Sequence, residues 1–313
     1  MGDLVILGAG GVVANELAKL LVSEKETVRL VSRSGRGLKG ATAVTADVTA
    51  PGQAIAAVKG SSVVYLCVGL KYDVKAWAEY WPRIMSNVIE ACKQAGSKLV
   101  FFDNVYAYGR VDGAMTEATP FNPCSRKGEI RAKIATQLMD ETRRGGLRAL
   151  IARSADFYGP FADTTSVPNR LVFKPFAAGK KADWLVNDRV KHSYTFTLDI
   201  ASALAALSRS DDAYNQVWHL PTAPDPLTGK EFIETAAQAF GVDVRYRVLS
   251  KSMIRLAGLF DKTVAESYEM LYQNEFPYIF DSSKFEASFR RSPTSYRDGI
   301  RKTAESYMAR GSG

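Results

Sequence analysis

The residues Gly8-Ala9-Gly10-Gly11-Val12-Val13-Ala14 follow the apolar run Leu4 to Leu7 and lead into a stretch whose Val13, Leu17, Leu20 and Leu21 share one helical face. Strand, glycine turn and helix, in that order, make a pyrophosphate site. The glycines let backbone N–H groups approach the phosphates, and the positive end of the helix favours their charge. Glycines alone would signal only a tight turn; their place between strand and helix carries the reading. The two histidines, His192 and His219, lie far apart, and Cys67, Cys92 and Cys124 form no CxxC pair, so no metal site is expected.

The elements that must position this turn repeat along the first half of the chain. Val28–Val31, Thr42–Thr45, Val63–Val68, Lys98–Phe102 and Ala149–Ala152 are short β-favouring runs, with helical patterns between most of them. That alternation predicts an α/β fold with a parallel sheet covered on both faces. The longest helical pattern carries Trp77, Trp81, Ile84, Met85, Val88, Ile89 and Cys92 on one stripe, with Pro82 suggesting an initial kink. The stripe reads as core, with width to spare for a partner subunit. A second helix is expected over Lys127–Arg143, with Ile130, Ile134 and Leu138 inward.

After Gly159-Pro160 the rhythm breaks into proline turns and scattered aromatics. A nucleotide-binding lobe is therefore expected over 1–158, regained at about 194–209, where an Asp199-initiated helix begins. A smaller C-terminal substrate-binding lobe takes 159–193 and 210–310. Lys and Arg outnumber Asp and Glu by 41 to 33, a net charge of +8, but the basic residues are scattered and no run is interleaved with aromatics. Anionic small molecules fit that charge; nucleic acid does not. No apolar run approaches the ~18 residues of a membrane span, so a cytoplasmic protein is expected. Gly311-Ser312-Gly313 reads as a flexible end.

Several ordered motifs together resemble the extended short-chain dehydrogenase/reductases of the NAD-dependent epimerase/dehydratase type. They are the glycine turn, Asp47-Val48, Val64-Tyr65-Leu66-Cys67, Val105-Tyr106-Ala107-Tyr108-Gly109, Thr119-Pro120 with Pro123, Arg153 before Phe157-Tyr158-Gly159-Pro160, and Tyr194 to Asp199. The resemblance implies a Rossmann-like, doubly wound parallel sheet that binds a nicotinamide dinucleotide, and a second lobe for substrate. It assigns the cofactor to Gly8, Gly10, Gly11, Val12 and Val13, to Asp47 and Val48 beside the adenine, and to Cys67, Val68, Gly69, Lys127 and Asp156. NAD enzymes carry an acid after the second strand, whereas this chain reads Ser32-Arg33-Ser34-Gly35-Arg36. Ser32, Arg33 and Arg36 suit a 2′-phosphate, which favours NADP(H) over a possible NAD(H).

The catalytic pattern departs from the family. Its Tyr-x-x-x-Lys pair falls on Lys127 and Arg131, and its Ser/Thr on Asn104. Four-residue spacing puts Lys127 and Arg131 on one helix face. Arg131 can donate to the ribose hydroxyls, Lys127 can protonate or steady a substrate oxygen, and Asn104 can orient it through its amide. Tyr106, Tyr108 and Asp103 are alternates for proton transfer, and Lys71, Tyr72 and Asp73 line the pocket less directly. Sugar-nucleotide enzymes of the family commonly place a phosphate-clamping arginine where His192 stands, so His192 is a candidate acid/base or substrate partner. His219 reads as structural. The expectation is an NADP(H)-dependent oxidoreductase acting on a carbonyl or hydroxyl carbon of a small molecule, and a homodimer. A nucleotide-sugar epimerase or dehydratase, and a cofactor-binding sensor without turnover, are the alternatives.

Overall fold

In the computed structural model, which describes residues 2–311, the apolar runs form the strands of one sheet. They are β1 (Asp3–Leu7), β2 (Val28–Ser32), β3 (Thr42–Thr45), β4 (Ser61–Leu66), β5 (Lys98–Asp103) and β6 (Ala149–Arg153). Each pairs in parallel with its neighbours. β7 (Val217–His219) completes the order β7-β6-β5-β4-β1-β2-β3. Strands covered on both faces need apolar residues throughout, and Val5, Ile6, Leu7, Val64, Leu66, Leu99, Val100 and Phe101 are all fully buried. The one phenol among them, Tyr65, donates to Ser208 Oγ at 2.6 Å. The chain runs outward from β1 to β3 and then crosses back to β4, which makes the carboxyl ends of β1 and β4 the point where strand order reverses. Ser312 and Gly313, in the expected flexible end, lie outside the described residues.

Helices pack on this sheet, among them α1 (Val12–Ser23), α2 (Pro51–Val58), α3 (Val74–Ala95) and α4 (Arg126–Arg143). Asp73 starts α3 by accepting from the Lys75 and Ala76 amides, at 2.9 and 3.2 Å, and Gly96 ends it in the left-handed conformation. Because that cap sets the start at Val74, Pro82 lies in the helix interior instead of at an initial kink. The tryptophan stripe is consumed within the chain. Trp81, Met85, Val88 and Cys92 are fully buried against Phe101, Ile134 and Leu138. The outer face of α3 shows Lys75, Glu79, Arg83, Ser86 and Glu90 to solvent.

The chain divides into two compact units, one made of Met1–Ala107, Arg126–Arg153 and Ile200–Trp218, the other of Tyr108–Ser125, Ser154–Asp199 and the residues from His219 onward. The crossing comes at Arg153, ahead of Tyr158, because Asp156–Tyr158 pairs in parallel with Tyr194–Phe196 inside the second unit. The helix expected to start at Asp199 starts at Thr197. Asp199 is occupied elsewhere: its carboxylate accepts from the Thr294 amide at 2.7 Å and hydroxyl at 2.8 Å. Among the described residues no helix is long and apolar enough to cross a membrane.

Aromatic side chains hold the second unit together. Tyr158 and Phe173 both meet Phe232 edge-on, at 5.5 and 5.9 Å between centroids, and Trp184 and Tyr194 close around the same ring. The helix carrying Phe232, Gly229–Phe240, is fixed at its start by a capping box, in which Thr228 Oγ1 accepts from the Glu231 amide and Glu231 Oε2 accepts from the Thr228 amide. Phe232→Ala removes the ring on which four others converge. It is expected to lower the unfolding free energy by about 3–5 kcal/mol, read as a fall in the urea midpoint with the native circular dichroism kept; a loss below about 1 kcal/mol would show that the cluster repacks.

Candidate active site

The glycine turn is shaped by close approach. Gly8 has φ +108°, and a Cβ there would stand 2.6 Å from the Cys67 carbonyl oxygen, so the ends of β1 and β4 meet only across a bare backbone. Gly10 has φ +96°, and its open face lies against Arg36, whose Cδ and Nη1 would be 3.0 and 3.3 Å from a Cβ. Gly11 is the N-cap of α1 without a side-chain cap, so the Val12 and Val13 amides at the helix start receive no side-chain acceptor from it. Asn15 Oδ1 accepts from the Gly10 amide at 3.2 Å and steadies the turn.

Beyond β2, Ser32 Oγ accepts from the Arg36 amide at 3.1 Å and so folds that arginine back toward Gly10. Arg33 and Arg36 are exposed, and neither has an ion-pair partner within 4 Å among the described residues. Arg33 acts at longer range on Asp47. The Thr49 amide foremost, with the Thr49 hydroxyl and the Arg33 cation, holds the Asp47 carboxyl below its usual range against the opposing effect of burial.

At the end of β5 the chain places a charge in the interior. Asp103 is buried and accepts from Arg131 Nη1 at 3.2 Å and from Arg153 Nε at 3.1 Å. Arg131 also lies over the Trp81 ring, 4.0 Å from its centroid, and 4.9 Å from that of Trp77. Burial lowers the pKa of this guanidinium, and Asp103 pulls it back up. The expected ribose donor is thus turned inward, its Nη1 on Asp103 and its Nε buried without a partner. Asp103, an alternate for proton transfer, is likewise committed to two arginines.

Lys127 lies one turn before Arg131 on α4, fully buried, with Nζ 4.6 Å over the Tyr72 ring centroid. Tyr72 meets Trp77 edge-on at 5.7 Å, and Trp77 stacks on Tyr106 at 6.3 Å. Asn104, directly after Asp103, accepts the Tyr106 amide through Oδ1 at 3.1 Å, which leaves its Nδ2 hydrogens as the free donors of that side chain. Lys127, Asn104, Tyr106 and Arg131 are therefore brought together in one unit. Tyr72, read as a less direct pocket residue, and Trp77, read as core, complete the cluster: Tyr72 meets Lys127 from the loop after β4, and Trp77 meets Arg131 and Tyr106 from α3.

The second unit holds His192, Asp156 and both ends of another hydrogen-bonded chain. His192 is buried between Tyr194 and Tyr278, each ring 4.3 Å away and nearly parallel, and its Nε2–H donates to Asp156 Oδ2 at 3.2 Å. Its Nδ1 is buried with no partner. His219 Nδ1–H donates to the Asp281 carbonyl at 2.7 Å, and its Nε2 accepts from Tyr108 Oη at 2.8 Å. That bond joins His219 to Tyr108, the two residues read as structural. Tyr272, Phe276 and Tyr278 line a small pocket with Gly109 and Arg110, whose guanidinium lies 3.5 Å over Phe276.

Residues 4–219 match the sequence profile of the NAD dependent epimerase/dehydratase family. No curated protein matches the sequence. Among solved structures the chain is similar to MoeE5 in complex with UDP-glucose and NAD, with a TM-score of 0.80 and 19% identity over 100% of both chains. It is also similar to the UDP-glucose 4-epimerase of Thermus thermophilus in complex with NAD, at 0.78 and 17% identity over 97% of this chain and 98% of that one. A third is the double mutant of DesIV (dTDP-glucose 4,6-dehydratase) from Streptomyces venezuelae with NAD and DAU bound, at 0.78 and 17% identity over 97% and 96%.

The buried Asp103 charge is what the two guanidiniums share, so Asp103→Asn is expected to cost about 3–5 kcal/mol of stability. Urea unfolding of the variant checks this, and a loss under about 1 kcal/mol would mean that the carboxylate is not the anchor.

Proposed function

The chain belongs to the NAD-dependent epimerase/dehydratase family, and on that premise we propose that it binds NADP(H) and catalyses oxidation, reduction or an oxidation-dependent isomerisation at a carbonyl or hydroxyl carbon of a small molecule. The residues fit a dinucleotide. Gly8 and Gly10 keep the turn bare of side chains, and the start of α1 offers its amides to a pyrophosphate. Gly8, Gly10, Gly11, Val12 and Val13 would hold the pyrophosphate, Asp47 and Val48 the adenine, and Cys67, Val68 and Gly69 the nicotinamide end. When bound, the nicotinamide supplies the hydride acceptor or donor.

The observation that carries the cofactor choice is the pair Arg33 and Arg36. No acid stands between Val31 and Gly37, and Arg36 lies against the glycine turn itself. A ribose 2′-phosphate would meet two guanidiniums and the Ser32 hydroxyl there. For the chemistry, the Lys127 ammonium and the Asn104 Nδ2 hydrogens would hold the negative charge that develops on a substrate oxygen. Arg131 would act as a positioning residue, fixing α4 through Asp103. A sensor without turnover would need neither Lys127 nor Asn104 held in this way.

A second reading, an NAD(H)-dependent nucleotide-sugar epimerase or dehydratase, draws support from the proteins of similar fold, solved with NAD and with nucleotide sugars. His192 weighs against it: an imidazole whose Nε2 is committed to Asp156 and whose Nδ1 is buried makes a poor diphosphate clamp. Calorimetric titration with NADPH, NADP⁺, NADH and NAD⁺ separates the two readings. NADP(H) is expected to bind more tightly than NAD(H), and Arg33→Asp to weaken it by about ten- to a hundredfold while sparing NAD(H). Equal or tighter binding of NAD(H) by the unaltered protein would replace the first reading with the second.

A further inference from the structure

Large apolar side chains crowd the surface of one short stretch of the second unit. Met253 is 45% exposed, Leu256 62%, Leu259 75% and Phe260 87%. The backbone holds them there. Two short helices, Lys251–Ala257 and Lys262–Ser267, come so close that a Cβ on Gly258 would stand 3.1 Å from the Ala265 Cα. In the bend between them the Leu259 amide donates to the Leu256 carbonyl at 3.1 Å, and the Phe260 and Asp261 amides donate to the Ala257 carbonyl at 3.0 and 3.1 Å. Leu259 and Phe260 therefore face solvent from a hydrogen-bonded bend, not from a loose loop.

We propose that this bend is a peripheral membrane-docking site, in which Leu259 and Phe260 enter the headgroup boundary of an anionic bilayer and the cations beside them meet its phosphates. Such a contact lies on the surface of the bilayer and needs no membrane-spanning helix. It stands independently of the cofactor reading.

Area and charge select the bilayer over a second copy of the chain. At these exposures the four side chains offer on the order of 500 Å², short of the roughly 800 Å² that each partner gives to a standard protein interface. A fluid bilayer needs no matching surface, and two fully projecting apolar side chains suit it. Residues 251–262 carry three cations and one acid. Lys251 is paired with Glu275, while Arg255 and Lys262 are exposed on either side of the apolar pair. The acid, Asp261, is drawn to the start of the second helix, where its Oδ1 accepts from the Thr263 and Val264 amides at 2.7 and 3.3 Å. Glu266 and Glu269, beyond the bend, are half-buried. The net charge of +8 on the whole chain has the sign that an anionic leaflet attracts.

The test is co-sedimentation of the full chain with vesicles of phosphatidylcholine alone and of phosphatidylcholine mixed with phosphatidylserine. Partition onto the mixed vesicles is expected to be about tenfold stronger than onto the neutral ones, and to weaken with added salt. Leu259→Ser combined with Phe260→Ser should lower it by at least roughly tenfold, and Arg255→Glu should lower binding to the mixed vesicles alone, with circular dichroism confirming the fold of each variant. Phe260→Trp gives a direct readout: its emission should shift to the blue on adding mixed vesicles. Should the double serine variant fail to fold, that emission decides alone. No sedimentation with mixed vesicles, binding that survives the double serine variant, or an unshifted tryptophan emission would overturn the proposal. So would a dimer in sedimentation velocity that the serine variant dissociates, because a second copy would then be what covers the bend.

Discussion

A single carboxylate ties the candidate site to the sheet. Asp103 ends β5, and through its two oxygens it holds Arg153 at the end of β6 and Arg131 in the middle of α4. A buried acid between two guanidiniums is tolerable only when both oxygens are used, and here they are. Two neighbours inherit their positions from it. Asn104 follows directly and is fixed by its own bond to the Tyr106 amide, and Lys127 precedes Arg131 by one turn and is carried wherever that anchor sets the helix. The aromatic rings around Arg131 extend the same constraint, since Trp77 and Trp81 pack on the guanidinium and Trp77 in turn supports Tyr72 and Tyr106.

The sheet was legible in the sequence because buried parallel strands must be apolar on both faces. Thr42–Thr45 and the run from Val28 appear nearly as read. β4 begins earlier than its apolar run, at Ser61, because a buried hydroxyl pair with Ser97 at 2.8 Å makes a polar residue acceptable there. A pattern of hydrophobicity cannot register such a pair. Helical spacing put Lys127 and Arg131 on one face, but it could not say that Arg131 would turn to an acid 28 residues earlier in the chain. That contact is tertiary, and it ties the residue read as a ribose donor to the end of β5.

The second unit shows the same limit from the other side. His192 and Asp156 stand far apart in the sequence, and nothing local links them. Parallel pairing sets Tyr194 opposite Asp156, His192 two residues earlier reaches that carboxylate, and Tyr278 stacks on the imidazole. The aromatic density near the end of the chain proves to be of mixed use: Tyr278 and Phe280 are buried and stack on the two histidines, while Tyr268 remains at the surface.

Lys127 and Arg131 on α4 and Arg153 at the end of β6 are buried, as is the Asp103 carboxylate that the two arginines share. Fixed positive charge inside a low-dielectric wall keeps its reach when salt is added, whereas the exposed Arg33 and Arg36 act through solvent and fade within a Debye length of about 8 Å at physiological ionic strength. The chain therefore has two electrostatic ranges. Under the proposed function the outer pair would set how fast an anionic ligand arrives, an effect that weakens as ionic strength rises, and the inner set how well charge is held once water has left, with little dependence on salt.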